Sequence, residues 1–150
     1  TDNLIITAIN AKSGQLATFN KQSHIALEEA VGASGAVPGL WPHIRVLEQD
    51  WIDGGMTSPA NAMIAKDFKN IMIIAPLADG YGNLPSVKDD AKVLDENSSV
   101  ITITPNSESQ NAIGENIYSP DNIIDIGHAG YEQGMQVAKE IRQHHPAWIE

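Results

Sequence analysis

Ile71–Ala75 is an unbroken apolar run, IMIIA, and it restricts the fold more than any other segment of the chain. Five apolar residues in succession, bounded by polar and turn-forming positions, read as a strand covered on both faces. Such a strand needs neighbours on its edges and packing layers above and below. Helix-patterned segments precede and follow it, and a second β-branched run, Val100–Thr104 (VITIT), comes after the next helix. Strands alternating with helices predict an α/β architecture with a largely parallel sheet.

The other elements follow from local signals. Leu4–Ile9 (LIITAI) reads as a strand running into the turn cluster Asn10–Gly14, and Gln15–Phe19 alternates as its hairpin partner. Ser23 has the character of an N-cap for a helix that places Ala26, Leu27, Ala30 and Val31 on one face and ends at Gly32. Residues 33–42 hold too much Gly and Pro for regular structure. Ile44–Leu47 and Trp51–Ile52 read as short strands around an acidic turn. Pro59–Lys66 is predicted to be a helix begun at Ser58, with proline in its first turn. Pro85–Leu94 is predicted helical, and Ser107–Ala112 is expected to form a short helical turn. Asp121 to about His144 is predicted to be a long final helix, in which Gly127, Gly130 and Gly134 suggest close packing.

The chain has 150 residues, the size of one domain or of part of a larger one. Net charge is −10, with acids and bases interspersed, so the expected surface is acidic and solvated. Such a surface repels phosphate backbones, which argues against nucleic acid and against anionic lipid as electrostatic partners. There are no cysteines, which excludes a disulfide framework, a thiol nucleophile and thiolate metal sites, and fits a reducing compartment. No run approaches the roughly 20 apolar residues of a membrane span, and no signal peptide is expected from these residues.

Asp53 is the leading candidate for chemistry. In Trp51-Ile52-Asp53-Gly54-Gly55-Met56 a short apolar strand ends on an acid followed by two glycines. A carboxylate at a strand end, with bare backbone beyond it, can be held rigidly while another group comes close. An aspartate so held can accept a proton from a hydroxyl as general base. An Asp-Gly turn between strands is the ordinary alternative. Pro38 and Gly39 form a loop upstream, and Trp41 beside Pro42 is a candidate wall of an acyl pocket; Trp41, Trp51 and Trp148 are otherwise core or packing residues.

The remaining candidates are weaker. Asp79-Gly80 lies just past a strand end, where ligands gather in open sheets, but its neighbours have the composition of a surface turn. Gly32-Ala33-Ser34-Gly35-Ala36 imitates a G-x-S-x-G nucleophile elbow, yet a helix is predicted before Ser34 where the elbow needs a strand. The five histidines show no metal-ligand spacing, and no metal site or cofactor is expected. His144 and His145 suit a helix C-terminus. Gly80-Tyr81-Gly82 lacks the context of a dinucleotide fingerprint.

Taken together, the run from Ala30-Val31 through Ala36-Val37-Pro38-Gly39 to Trp41-Pro42, the Asp53-Gly54-Gly55 motif, Ser58-x-x-Asn61-Ala62 and the strand after it resemble the patatin-like phospholipase family, and its bacterial members in particular. The resemblance continues through VITITP to Ala129-Gly130-x-x-x-Gly134. It spans essentially all 150 residues but only the carboxy-terminal portion of that family's domain. It implies a three-layer α/β fold, a mostly parallel sheet with flanking helices, incomplete within this chain. It implies a serine lipid acyl hydrolase with a Ser-Asp dyad, in which Asp53 matches the catalytic aspartate and Gly54, Gly55, Pro38 and Gly39 support it. The family's nucleophilic serine and oxyanion loop lie upstream of the part matched.

The expected function is therefore the aspartate-bearing part of a lipid or ester hydrolase, located in the bacterial cytoplasm, inactive alone, and paired with the rest of its domain or with a second copy. The alternative is a non-catalytic α/β binding module descended from that family. A self-contained hydrolase using Ser34 with Asp53 is the third option.

Overall fold

The hairpin at the amino end forms as its turn chemistry dictates. The computed structural model describes residues 3–80, 82–145 and 148. Strands β1 (Ile6–Asn10) and β2 (Leu16–Phe19) pair antiparallel, with Ile6 opposite Phe19 and Ile9 opposite Leu16. Asn10 Oδ1 accepts from the Lys12 and Ser13 amides at 3.1 and 2.9 Å, and Gly14 takes the positive φ of 71° that closes the turn. β3 (Ile44–Val46) and β4 (Gln49–Asp53) form a second hairpin across the two-residue loop Leu47-Glu48. Both loop residues have positive φ, 52° and 59°, as a tight hairpin of this length demands, although neither is the glycine or asparagine that adopts it cheaply.

β1 also pairs antiparallel with β4, giving a four-stranded sheet in the order β2-β1-β4-β3. Helix α1 (Leu27–Ser34) packs on it. Their shared core is Ala8, Phe19, Ala30, Ala33, Val46 and Trp51. Small alanines on α1 let the helix approach closely, and the aromatic pair fills the space: the Phe19 and Trp51 rings meet edge to face at 4.9 Å and 80°. The Trp51 indole N–H is satisfied by the Val46 carbonyl at 3.0 Å.

The second sheet is the parallel pair β5 (Asn70–Ile74) and β6 (Ser99–Ile103), joined through α2 (Val87–Leu94). Ser86 caps α2 in a reciprocal box with Asp89. Helices α3 (Ser107–Ile113) and α4 (Ile123–His144) follow. Contacts divide the chain into two compact units. One runs up to Ile73 and includes Ala78–Thr102; the other comprises Ile74–Leu77 and the described residues from Ile103 onward. In the second unit, Gln133 on α4 accepts from the Asn106 amide and the Ser109 hydroxyl at 3.1 and 2.7 Å and donates to the Thr104 carbonyl at 2.7 Å. That single side chain ties α4 to the start of α3.

The protein is thus mixed α/β, but several expectations need correction. Among the described residues, parallel pairing is found only between β5 and β6: the amino-terminal strands are linked as hairpins, which can pair only antiparallel, and β1 joins the two hairpins by pairing antiparallel with β4. IMIIA buries one face only: Ile71 and Ile73 are inside, while Met72 and Ile74 are exposed. Ser23 does not begin α1. It closes a one-turn 3-10 helix with Asn20, and His24, at φ 55°, breaks the path into a longer helix. α1 instead starts after Ala26, whose amide is satisfied by Glu29, and continues through Gly32 to Ser34. Pro59–Lys66 is no α-helix; only Ala62–Ala65 forms a 3-10 turn. Gly127, Gly130 and Gly134 do not mark close packing, since a Cβ at each would meet nothing among the described residues within 4 Å.

Candidate functional site

Asp53 is the last residue of β4, an inner strand, and its backbone is fixed from two sides. It pairs with Ala8 of β1, and its amide donates to the Ala36 carbonyl at 3.1 Å. The chain then turns at once into a 3-10 helix, Gly54–Met56, for which Asp53 is the N-cap. Its Oδ1 accepts from the Gly55 amide at 2.6 Å, a short bond of the charge-assisted kind. The side chain is half-buried, and its Oδ2 has no hydrogen-bond partner among the described residues. One carboxylate oxygen is pinned and the other is open.

The two glycines serve different ends. Gly54 is buried, and a Cβ there would sit 2.5 Å from Thr7 Oγ1 and 2.6 Å from the Thr7 carbonyl oxygen. The turn can press against β1 only without a side chain. A Cβ on Gly55 would instead meet Asp53 Oδ1 itself, at 3.0 Å.

Sequence reasoning missed the residues that hold this turn. Asn61 Nδ2 donates to the Gly54 carbonyl at 2.8 Å and to Thr7 Oγ1 at 3.3 Å. Thr57 Oγ1 lies 3.1 Å from the same carbonyl and 2.9 Å from Asn61 Oδ1, sharing its one proton between them. To reach these partners Asn61 adopts the left-handed conformation, φ 46° and ψ 38°, which ends any helix begun at Ser58. The signal available was the residue type: asparagine tolerates this conformation better than other side-chain-bearing residues. Ser58 is likewise turned away from capping. Its hydroxyl donates to Asp90 Oδ2 at 2.6 Å, and both residues are buried.

The other candidates are less closely gathered. The Val37–Leu40 turn holds Pro38 and Gly39, with Gly39 at φ 87° and the Leu40 and Trp41 amides donating to the Val37 carbonyl. It follows directly on Ala36, so the residue that leads into this loop is anchored to the Asp53 backbone. Trp41 is 62% exposed, a correction to its expected packing role. Ser34 ends α1 and lines an open cleft with Ile5, Ile6, Thr7, Val31 and Gly35; it makes no hydrogen bond to Asp53. Asp79 is exposed and lies at a bend, and Tyr81 of the Gly80-Tyr81-Gly82 segment lies outside the described residues. His144 closes α4 and His145 follows as its C-cap. Among the described residues no three His, Asp or Glu side chains are grouped to hold a metal ion, and no helix is long and apolar enough to cross a membrane.

A scan against protein-family models finds none that matches the chain, and a search of curated proteins returns no match.

Proposed function

We propose that this chain carries the general base of a serine acyl hydrolase of the patatin-like type, with Asp53 accepting the proton of a serine supplied from outside these 150 residues. The observation that carries this reading is the asymmetry of the Asp53 carboxylate. Oδ1 is held by the Gly55 amide, whereas Oδ2 is free of hydrogen bonds among the described residues. A base needs this arrangement: one oxygen fixes the orientation and the other receives the proton.

In the mechanism that follows, the serine hydroxyl attacks the carbonyl carbon of a lipid or other acyl ester while Asp53 Oδ2 takes its proton. The proton passes to the departing alcohol, leaving an acyl-serine. Water then attacks the acyl group, giving its proton to Asp53; the bond from the acyl carbon to the serine oxygen breaks as Asp53 returns that proton to the oxygen, and the fatty acid leaves with serine and Asp53 restored. Backbone donors around the ester oxygen, each worth roughly 3 kcal/mol to the transition state, belong with the nucleophile. No metal or cofactor takes part.

The complete domain in this reading is three-layered, and the β5-α2-β6 unit is the part here that supports such a build. The hairpin sheet presents β2 and β3 as its edges, which suits pairing with the rest of the domain or with a second copy. A bacterial cytoplasmic location accords with the lack of cysteine.

The test is covalent labelling of the protein from its native source with a fluorophosphonate. Labelling of a serine outside these residues, with Asp53→Ala reducing the labelling rate, supports the reading. Labelling of Ser34 favours a self-contained hydrolase. Absence of labelling in a protein whose apolar surfaces capture a partner favours the binding module, a reading to which the exposed Ile123, Ile124, Tyr131 and Met135 of α4 lend weight.

A further inference from the structure

Gly54 contributes its carbonyl, and Gly55 its amide, to one and the same peptide unit. That unit is planar and trans, so its C=O and N–H point in opposite directions. On the oxygen side stand Asn61 Nδ2 at 2.8 Å, Thr57 Oγ1 at 3.1 Å and the Thr57 amide at 3.4 Å. On the nitrogen side stands Asp53 Oδ1 at 2.6 Å. We infer that Asn61 and Thr57 are positioning residues for Asp53, acting through this one peptide: by holding the Gly54 oxygen they aim and polarise the Gly55 N–H at the carboxylate.

Three features support the assignment. Asn61 adopts a conformation unfavourable to most residues, and its side-chain nitrogen spends both hydrogens on this turn, one on the Gly54 oxygen and one on Thr7. Thr7 lies on β1, so the clamp is referenced to the strand that also pairs with Asp53. The space for a side chain at Gly54 is filled by Thr7, which keeps the peptide from tilting. Hydrogen bonds in series through a peptide strengthen one another. Removing the donors on the oxygen side therefore weakens the bond on the nitrogen side, although neither Asn61 nor Thr57 touches Asp53.

The inference rests on the general-base role of Asp53 for its functional meaning, and the experiment separates the two. In the 15N-labelled chain, the Gly55 amide proton of Asp53→Asn marks the shift expected when the bond is kept but loses its charge. Asn61→Gly, which keeps the left-handed backbone but deletes the amide, should move the Gly55 proton upfield toward that mark and speed its exchange on the order of tenfold. Thr57→Val should do the same to a smaller extent, and Thr57→Ser should restore it. β1 and β4 amides should stay in place. In the ester-hydrolysis assay of the complete protein, Asn61→Gly should lower kcat about tenfold with KM unchanged. A Gly55 signal unmoved in both Asn61→Gly and Thr57→Val overturns the inference, as does failure of Thr57→Ser to restore it. Wild-type protein without hydrolysis overturns the role of Asp53 and leaves the amide result to decide the relay.

Discussion

Ser58 Oγ donates to Asp90 Oδ2 across 2.6 Å, and each residue is more than nine-tenths buried. The bond joins the segment after the Asp53 turn to the first turn of α2. Truncation to Ser58→Ala leaves a buried carboxyl without this partner, at a cost of about 1–3 kcal/mol. Asp90→Asn retains an acceptor oxygen and should cost less. Urea denaturation of both variants checks the order.

The Leu47-Glu48 turn carries strain that the molecule does not need. Both residues sit at positive φ, where a side-chain-bearing residue other than Asn or Asp costs about 1–2 kcal/mol. The Arg45–Glu48 ion pair, at 3.2 Å on an open surface, offsets little of this. Replacement of the pair by Asn-Gly should stabilise the protein by about 1–2 kcal/mol, read as a raised urea midpoint with unchanged slope.

How much of this could be read from the residues alone depended on whether local chemistry or distant contacts decided each element. The Asn10–Gly14 hairpin and α2 were legible because turn and cap residues within a few positions determine them. The Ser58–Lys66 segment was not, because Asn61 and Ser58 answer to Gly54, Thr7 and Asp90, the last 32 residues away from Ser58. The apolar run at Ile71–Ala75 suggested two covered faces, but periodicity cannot show which layers are present, and Met72 and Ile74 remain exposed. Asp53 was legible as a candidate from its strand-end position and its glycines; the side chains that hold its turn were not, since none is nearer than four residues to it.

The two glycines after Asp53 should respond differently to alanine. Gly54→Ala forces a Cβ onto Thr7 backbone and hydroxyl atoms that cannot retreat, and should cost about 1–3 kcal/mol in stability. Gly55→Ala presses on the Asp53 carboxylate instead. It should be milder toward unfolding and harsher toward hydrolysis. Thermal melts and ester-hydrolysis rates on the same two variants separate these effects.

Acid should reach α2 through its cap. The Ser86 hydroxyl, and after it the Ser86 amide, hold the Asp89 carboxyl below its ordinary value of 3.8. A carboxyl with a lowered folded-state pKa stabilises the fold above its unfolded value, and that contribution fades as pH falls through the folded one. Asp89→Asn should therefore be less stable than wild type at neutral pH, with the gap closing in acid below the ordinary aspartate range. Ser86→Ala, which also loses the cap, should cost about 1 kcal/mol at neutral pH. Urea midpoints across a pH series check both.

Asp53 acting as a base is central to the proposed function. The direct measurement is kcat/KM for a soluble acyl ester, comparing the complete wild-type protein with Asp53→Asn, a substitution that preserves shape and the Gly55 contact while removing the base. A fall of about 10²–10⁴-fold, carried by kcat, is the predicted result. An Asp53→Asn protein that hydrolyses the ester at the wild-type rate would contradict it.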